Sequence, residues 1–160
     1  METWPTCFQG GMRMKKTMQS VVVAGCGRLG SHIADYYSGQ GLNVVVLDND
    51  EAAFDQLSSD YSGFTIAGSV AEYGVLRQAG LEKADLFVAV TQSDTLNIMC
   101  AEIALKHFKV SRVFARVYEP SLEEFCRSLG ILAVSPITAT ADRFLEEIRL
   151  AGQMRAGGGA

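Results

Sequence analysis

The chain has 160 residues, 48% hydrophobic and 20% charged, with a net charge of −4; this suits one globular domain with a full core and argues against a nucleic-acid binder. No apolar run approaches the ~20 residues of a membrane-spanning helix. Cys7, Cys26, Cys100 and Cys126 show no CxxC pairing, so a zinc site or disulfide framework has little support and a reducing cytoplasm fits.

Residues 1–19 carry no sustained period, and Gly10-Gly11 interrupts them. They read as a mobile leader in which Arg13, Lys15 and Lys16 are solvated charge or a contact for acidic lipid or a partner. Met14-Lys15-Lys16-Thr17 ahead of Val21 to Cys26 looks like a lipoprotein signal. Its apolar part, Val21 to Ala24, is shorter than the ~7–15 residues of a signal core. A buried strand and the turn after it explain the same residues.

From there strands alternate with helices. Strands are predicted over 20–25, 43–48, 63–67, 85–90, 112–117 and 131–134, and helices over 28–39, 51–59, 71–79, 94–108, 119–129 and 137–151. Continuous apolar strands such as Leu86-Phe87-Val88-Ala89-Val90 suit a parallel sheet covered on both faces. Right-handed crossovers then give an α/β, Rossmann-like, doubly wound parallel sheet in the order 3-2-1-4-5-6. Asp50 is placed to cap the second helix, Ser93 or Asp94 the fourth, and Pro136 opens the last. Helix 94–108 is apolar almost all round, which predicts cover from its own sheet and from a second subunit. The last helix gathers Ile137, Ala141, Phe144, Leu145 and Ile148 on one side. The division is a leader (1–19), a Rossmann-like domain (20–135), a C-terminal helix (136–151) and a flexible tail (152–160), with Gly152 as the helix stop.

The chemistry concentrates at Gly25-Cys26-Gly27-Arg28-Leu29-Gly30. This GxGxxG follows the strand Val21-Val22-Val23, opens a helix, and has Asp48 18 positions beyond its last glycine, close to the dinucleotide fingerprint. Gly25 permits the sharp turn, Gly27 lets phosphate approach the backbone, and Gly30 lets helix and strand lie close. The unpaired N–H groups and dipole of the helix start favour an anion. Asp48 can accept hydrogen bonds from ribose hydroxyls and would repel a 2′-phosphate. Asn49, Asp50 and Glu51 add no cation, so NADP is disfavoured.

Other residues have two readings each. Arg28 binds a terminal phosphate or is a solvated helix residue. Arg116 pairs across a subunit contact or on its own surface. Asp94 and Asn97 contact ligand or partner, or else cap a helix and anchor a loop. Cys26 is a reactive thiol beside the ligand or a filler of the loop. His32 and His107 have no evident catalytic partner.

The stretches VVVAGCGRLG (Val21–Gly30), VLRQAGLEKAD (Val75–Asp85), AVTQSDTLN (Ala89–Asn97), FARV (Phe114–Val117) and LGI (Leu129–Ile131) together resemble the N-terminal nucleotide-binding domain of the RCK (KTN, TrkA-N) family. The resemblance covers about residues 20–150. It implies a non-catalytic, cytoplasmic regulatory domain or subunit that binds NAD(H), ATP, ADP or AMP. It implies a homodimer or larger assembly at the inner face of the membrane, joined by the C-terminal linking helix, gating a potassium channel or a Trk/Ktr-type transporter. By resemblance, the ligand set is Gly25, Cys26, Gly27, Arg28, Leu29, Gly30, Asp48, Asn49, Ser69, Val70 and Thr91, with no metal ligand. There are two departures. Gly68-Ser69-Val70 lacks an acid that many members place near adenine, and the smaller C-terminal domain usual in the family is not in this sequence. The competing class is an NAD-dependent oxidoreductase fragment, which would need a substrate domain and an acid/base pair. A structural scaffold with an empty loop is the third.

Overall fold

The computed structural model describes residues 18–156. Residues 1–17 and 157–160, which hold most of the expected leader and the end of the expected tail, lie outside the described residues. Six parallel strands form one sheet in the order β3-β2-β1-β4-β5-β6. They are β1 (Ser20–Ala24), β2 (Asn43–Asp48), β3 (Phe64–Ala67), β4 (Leu86–Ala89), β5 (Arg112–Arg116) and β6 (Leu132–Val134). The helices are α1 (Arg28–Gly39), α2 (Tyr73–Gln78), α3 (Asp94–Lys106), α4 (Ser121–Ser128) and α5 (Pro136–Ala156). The expected doubly wound order is therefore present.

Because side chains alternate along a strand, the sheet builds two cores. Val22, Ala24, Leu47, Phe87, Ala89, Val113 and Ala115 pack with Leu76, Cys100, Ala101, Ala104 and Cys126 on the face covered by α2, α3 and α4. Val21, Val23, Val44, Val46, Leu86, Val88 and Val90 face the other way, against Ala34 and its neighbours on α1. Val21↔Val44 and Val21↔Leu86 fix the register of the central strand on both sides.

Three expected helices differ, each for a local reason. Residues 51–59 form a short 3-10 turn, Glu51–Gln56. Asp50 does cap it, accepting from Ala52 N at 3.0 Å. The chain then leaves helical geometry because Ser58 donates its N–H and hydroxyl to the Asp35 carboxylate of α1, at 3.1–3.2 Å. The helix expected from 71 begins at Tyr73, after Ser69 Oγ has accepted from Ala71 N at 3.3 Å in a local turn. The last helix does not stop at 151: it continues through Gly152 to Ala156. Ser93, rather than Asp94, caps α3, accepting from Leu96 N at 3.3 Å.

Candidate functional site

The glycine turn sits at the carboxyl ends of β1, β2 and β4, where the strand order reverses. In open α/β sheets that is the ligand crevice. Gly25 has φ +104°, a conformation side chains rarely adopt. It lies so close to β4 that an added Cβ would come within 2.9 Å of Thr91 N. A Cβ on Gly30 would run into the Gly25 carbonyl oxygen, so this glycine sets the approach of α1 to the turn. Gly27 is different: nothing lies within 4 Å of its would-be Cβ. Gly27 is the N-cap of α1 and supplies no side-chain cap, so the first N–H groups of α1 have no capping side chain beside that open space.

Asp48, at the end of β2, braces this turn. Oδ2 accepts from Cys26 N at 2.7 Å and Oδ1 from Asp50 N at 3.0 Å. A carboxylate oxygen has a second lone pair, so ribose hydroxyls could still be accepted. Arg28, Leu29 and Asn49 are exposed around the turn. Cys26 offers its N–H to Asp48, while its side chain is buried in the α1-side core. Burial first, then the Asp48 and Asp35 charges, push its thiol up to about 11. This disfavours the thiolate and supports the reading of Cys26 as a filler of the loop. Across the crevice, Ser69 is half-buried and Val70 packs its side chain into the opposite core.

Thr91 closes the third side through a network that the sequence left open. Asn97, fully buried, accepts from Thr91 N at 2.8 Å and Thr91 Oγ1 at 2.7 Å. It donates to the carbonyls of Thr91 at 3.0 Å and Arg116 at 2.9 Å. Asp94 accepts from Tyr118 N at 2.9 Å and Glu119 N at 3.1 Å. Of the two readings for this pair, the structure supports loop anchoring. Arg116 donates to the Thr91 carbonyl, and its guanidinium lies 4.6 Å from the centre of the Tyr118 ring. No carboxylate pairs with it among the described residues, so the reading of Arg116 as an ion pair on its own surface is not met there. The TxxDxxN spacing of Thr91, Asp94 and Asn97 in the sequence was the signal for this network. Its partners lie up to 25 residues away, on another loop.

The family model for the TrkA-N domain matches residues 21–136. The chain belongs to the TrkA-N family. A relative, the Trk system potassium uptake protein TrkA of Streptomyces coelicolor, is 38% identical over 132 residues, 82% of this chain and 59% of that protein. This TrkA-N domain thus spans about three fifths of the length of that relative. The Kef CTD of Shewanella denitrificans in AMP-bound form superposes with a TM-score of 0.71 at 24% identity, over 84% of this chain and 82% of that one. The GsuK channel bound to NAD gives 0.64 at 20% identity, over 82% of this chain and 24% of that one. These structural likenesses establish the TrkA-N domain's fold. No helix among the described residues is long and apolar enough to cross a membrane, and no His, Cys, Asp and Glu group there could hold a metal.

Proposed function

We propose that the chain is a cytosolic nucleotide-sensing regulatory subunit or domain that gates a potassium channel or Trk/Ktr-type transporter, peripheral to the inner membrane face through that partner. The ligand is NAD(H) or one of ATP, ADP and AMP. It takes its phosphates at Gly25, Cys26, Gly27, Arg28, Leu29 and Gly30, its ribose at Asp48 and Asn49, and its base side at Ser69 and Val70, with Thr91 beside the crevice. One observation carries this reading: a rigid glycine turn, braced by Asp48, holds the helix N-terminus open at Gly27. The potassium-uptake relative and the AMP- and NAD-bound proteins of the same fold support the ligand class and the setting. The working unit is a homodimer or larger, in which ligand acts by favouring one arrangement of paired domains. We read the chain as a binding module and not as an oxidoreductase, which the potassium-uptake relative supports.

Calorimetry with NADH, NAD, ATP, ADP and AMP tests this. At least one binds, and Gly27→Val abolishes its binding by filling the phosphate approach. Asp48→Ala weakens binding by roughly 1–3 kcal/mol, since a charged acceptor is lost and the turn loses its brace. No heat with any of the five at millimolar concentration ends the proposal. Protein-dependent NADH oxidation with a carbonyl panel would move the chain to the enzyme class.

A further inference from the structure

Asn97 and Asp94 stand one helical turn apart at the start of α3, and both side chains are engaged by backbone. All four hydrogen-bonding sites of the buried Asn97 amide are filled, three by Thr91 and one by the Arg116 carbonyl. Asp94 takes the N–H groups of Tyr118 and Glu119. The loop after β4 and the loop after β5 are thereby fastened to one another. A fully satisfied buried amide is stiff, because breaking any of its bonds leaves a polar group unpaired away from water.

The fastened pair has two ends. At one, Val90 N–H donates to the Ala24 carbonyl at 2.8 Å, and the Val90–Thr91 peptide sits so near Gly25 that an added Cβ would meet it, so the turn and Thr91 are close neighbours. At the other, Arg116 reaches from the Thr91 carbonyl to the face of Tyr118, whose ring is exposed at the surface. Contacts therefore run without a gap from Gly25 through Thr91, Asn97 and Arg116 to Tyr118.

We propose that Asn97 and Asp94 are positioning residues that couple the glycine turn to the surface carrying Arg116 and Tyr118, so that an anion held by the turn resets Tyr118. The inference rests on the nucleotide-binding reading above. It adds a route by which occupancy reaches the outside of the domain, and neither residue belongs to the proposed ligand set.

The full chain with Trp4→Phe and Tyr118→Trp has a single tryptophan at the reporting end. AMP, ADP and NAD are titrated by tryptophan emission and by calorimetry in parallel. The emission change has the same midpoint as the calorimetric binding curve. Adding Asp94→Ala keeps Kd within about threefold but cuts the saturating amplitude about twofold or more. Asn97→Ser does the same where it folds; Asp94→Ala, at a half-buried site, decides the matter if it does not. A merely structural role would lower the melting temperature and leave the amplitude intact. Binding heat without an emission change, or full amplitude in Asp94→Ala, overturns the coupling alone. No binding heat with any probe removes the nucleotide reading and the coupling with it.

Discussion

Helices α3 and α5 carry similar amounts of apolar side chain and use them in opposite ways. In α3, Cys100, Ala101 and Ala104 are fully buried, and Leu96, Ile98, Ile103 and Leu105 pack against the same core. Met99, 37% exposed, is the one large apolar side chain of α3 left outside. In α5, Ile137 is 58% exposed, and Phe144, Leu145 and Ile148 are each 65% exposed. The difference is one of position in the layers. α3 lies on β4 and β5, whereas α5 leaves the end of the sheet beyond β6. Between α1 and α5 runs a groove of about 790 Å³, floored by Leu86, Val88 and Phe114. An apolar helix is thus no evidence of a partner until its own sheet has been given its share. By that measure, the weight of the proposed dimer contact falls on α5, since soluble monomers rarely leave large apolar patches bare.

The comparison can be broken at its buried end first. Ala101→Glu places a carboxylate at a fully buried site in an apolar cluster, at a cost on the order of 4 kcal/mol or more. Circular dichroism melting should show the fold lost or its transition lowered by many degrees. A normal melt would mean that α3 is not core. Phe144→Glu, at the exposed end, should cost less than about 0.5 kcal/mol in folding. Its effect should appear in mass instead. Light scattering after gel filtration should move from at least twice 17.3 kDa toward a single chain. A monodisperse wild-type monomer, with and without nucleotide, would remove the assembly claim.

The smallest effect is in pH. Burial pushes the Cys100 thiol of α3 up to about 11, from an ordinary 9.0; Cys26 behaves likewise, with Asp48 and Asp35 adding to its burial. Below pH 9 both states are protonated and the stability is fully present. As pH rises toward 11 the unfolded chain ionises first, so stability falls. Urea midpoints across that range should decline less steeply in Cys100→Ala than in wild type. Equal slopes would show that the thiol does not titrate differently on folding.

These contrasts also mark what could be read from the chain before its shape was known. Branched apolar runs such as Val21–Val23 and Leu86–Val90 announce a covered parallel sheet, and the spacing of Gly25, Gly27, Gly30 and Asp48 announces the crevice. Both signals are local. The 3-10 turn at Glu51–Gln56 was not legible, because Asp35, 23 residues earlier, takes the N–H of Ser58. Nor were the second task of Asp48 at Cys26 N, 22 residues back, or the bond from Asn97 to the Arg116 carbonyl, 19 residues on. Each joins a side chain to backbone on another element, and no period or spacing encodes that. The exposure of α5 escaped for a related reason: its apolar stripe looks the same whether a sheet lies beneath it or not.

The brace at Asp48 has a thermodynamic corollary. With the Cys26 and Asp50 N–H groups already tied to one carboxylate, the turn is ordered as part of folding. An arriving anion then has little backbone freedom left to quench, and its affinity follows contacts rather than loop closure. Removing the brace would return that ordering cost to the binding step. The signature in Asp48→Ala would be a less favourable entropy of binding, beyond the enthalpy lost with the proposed ribose contact.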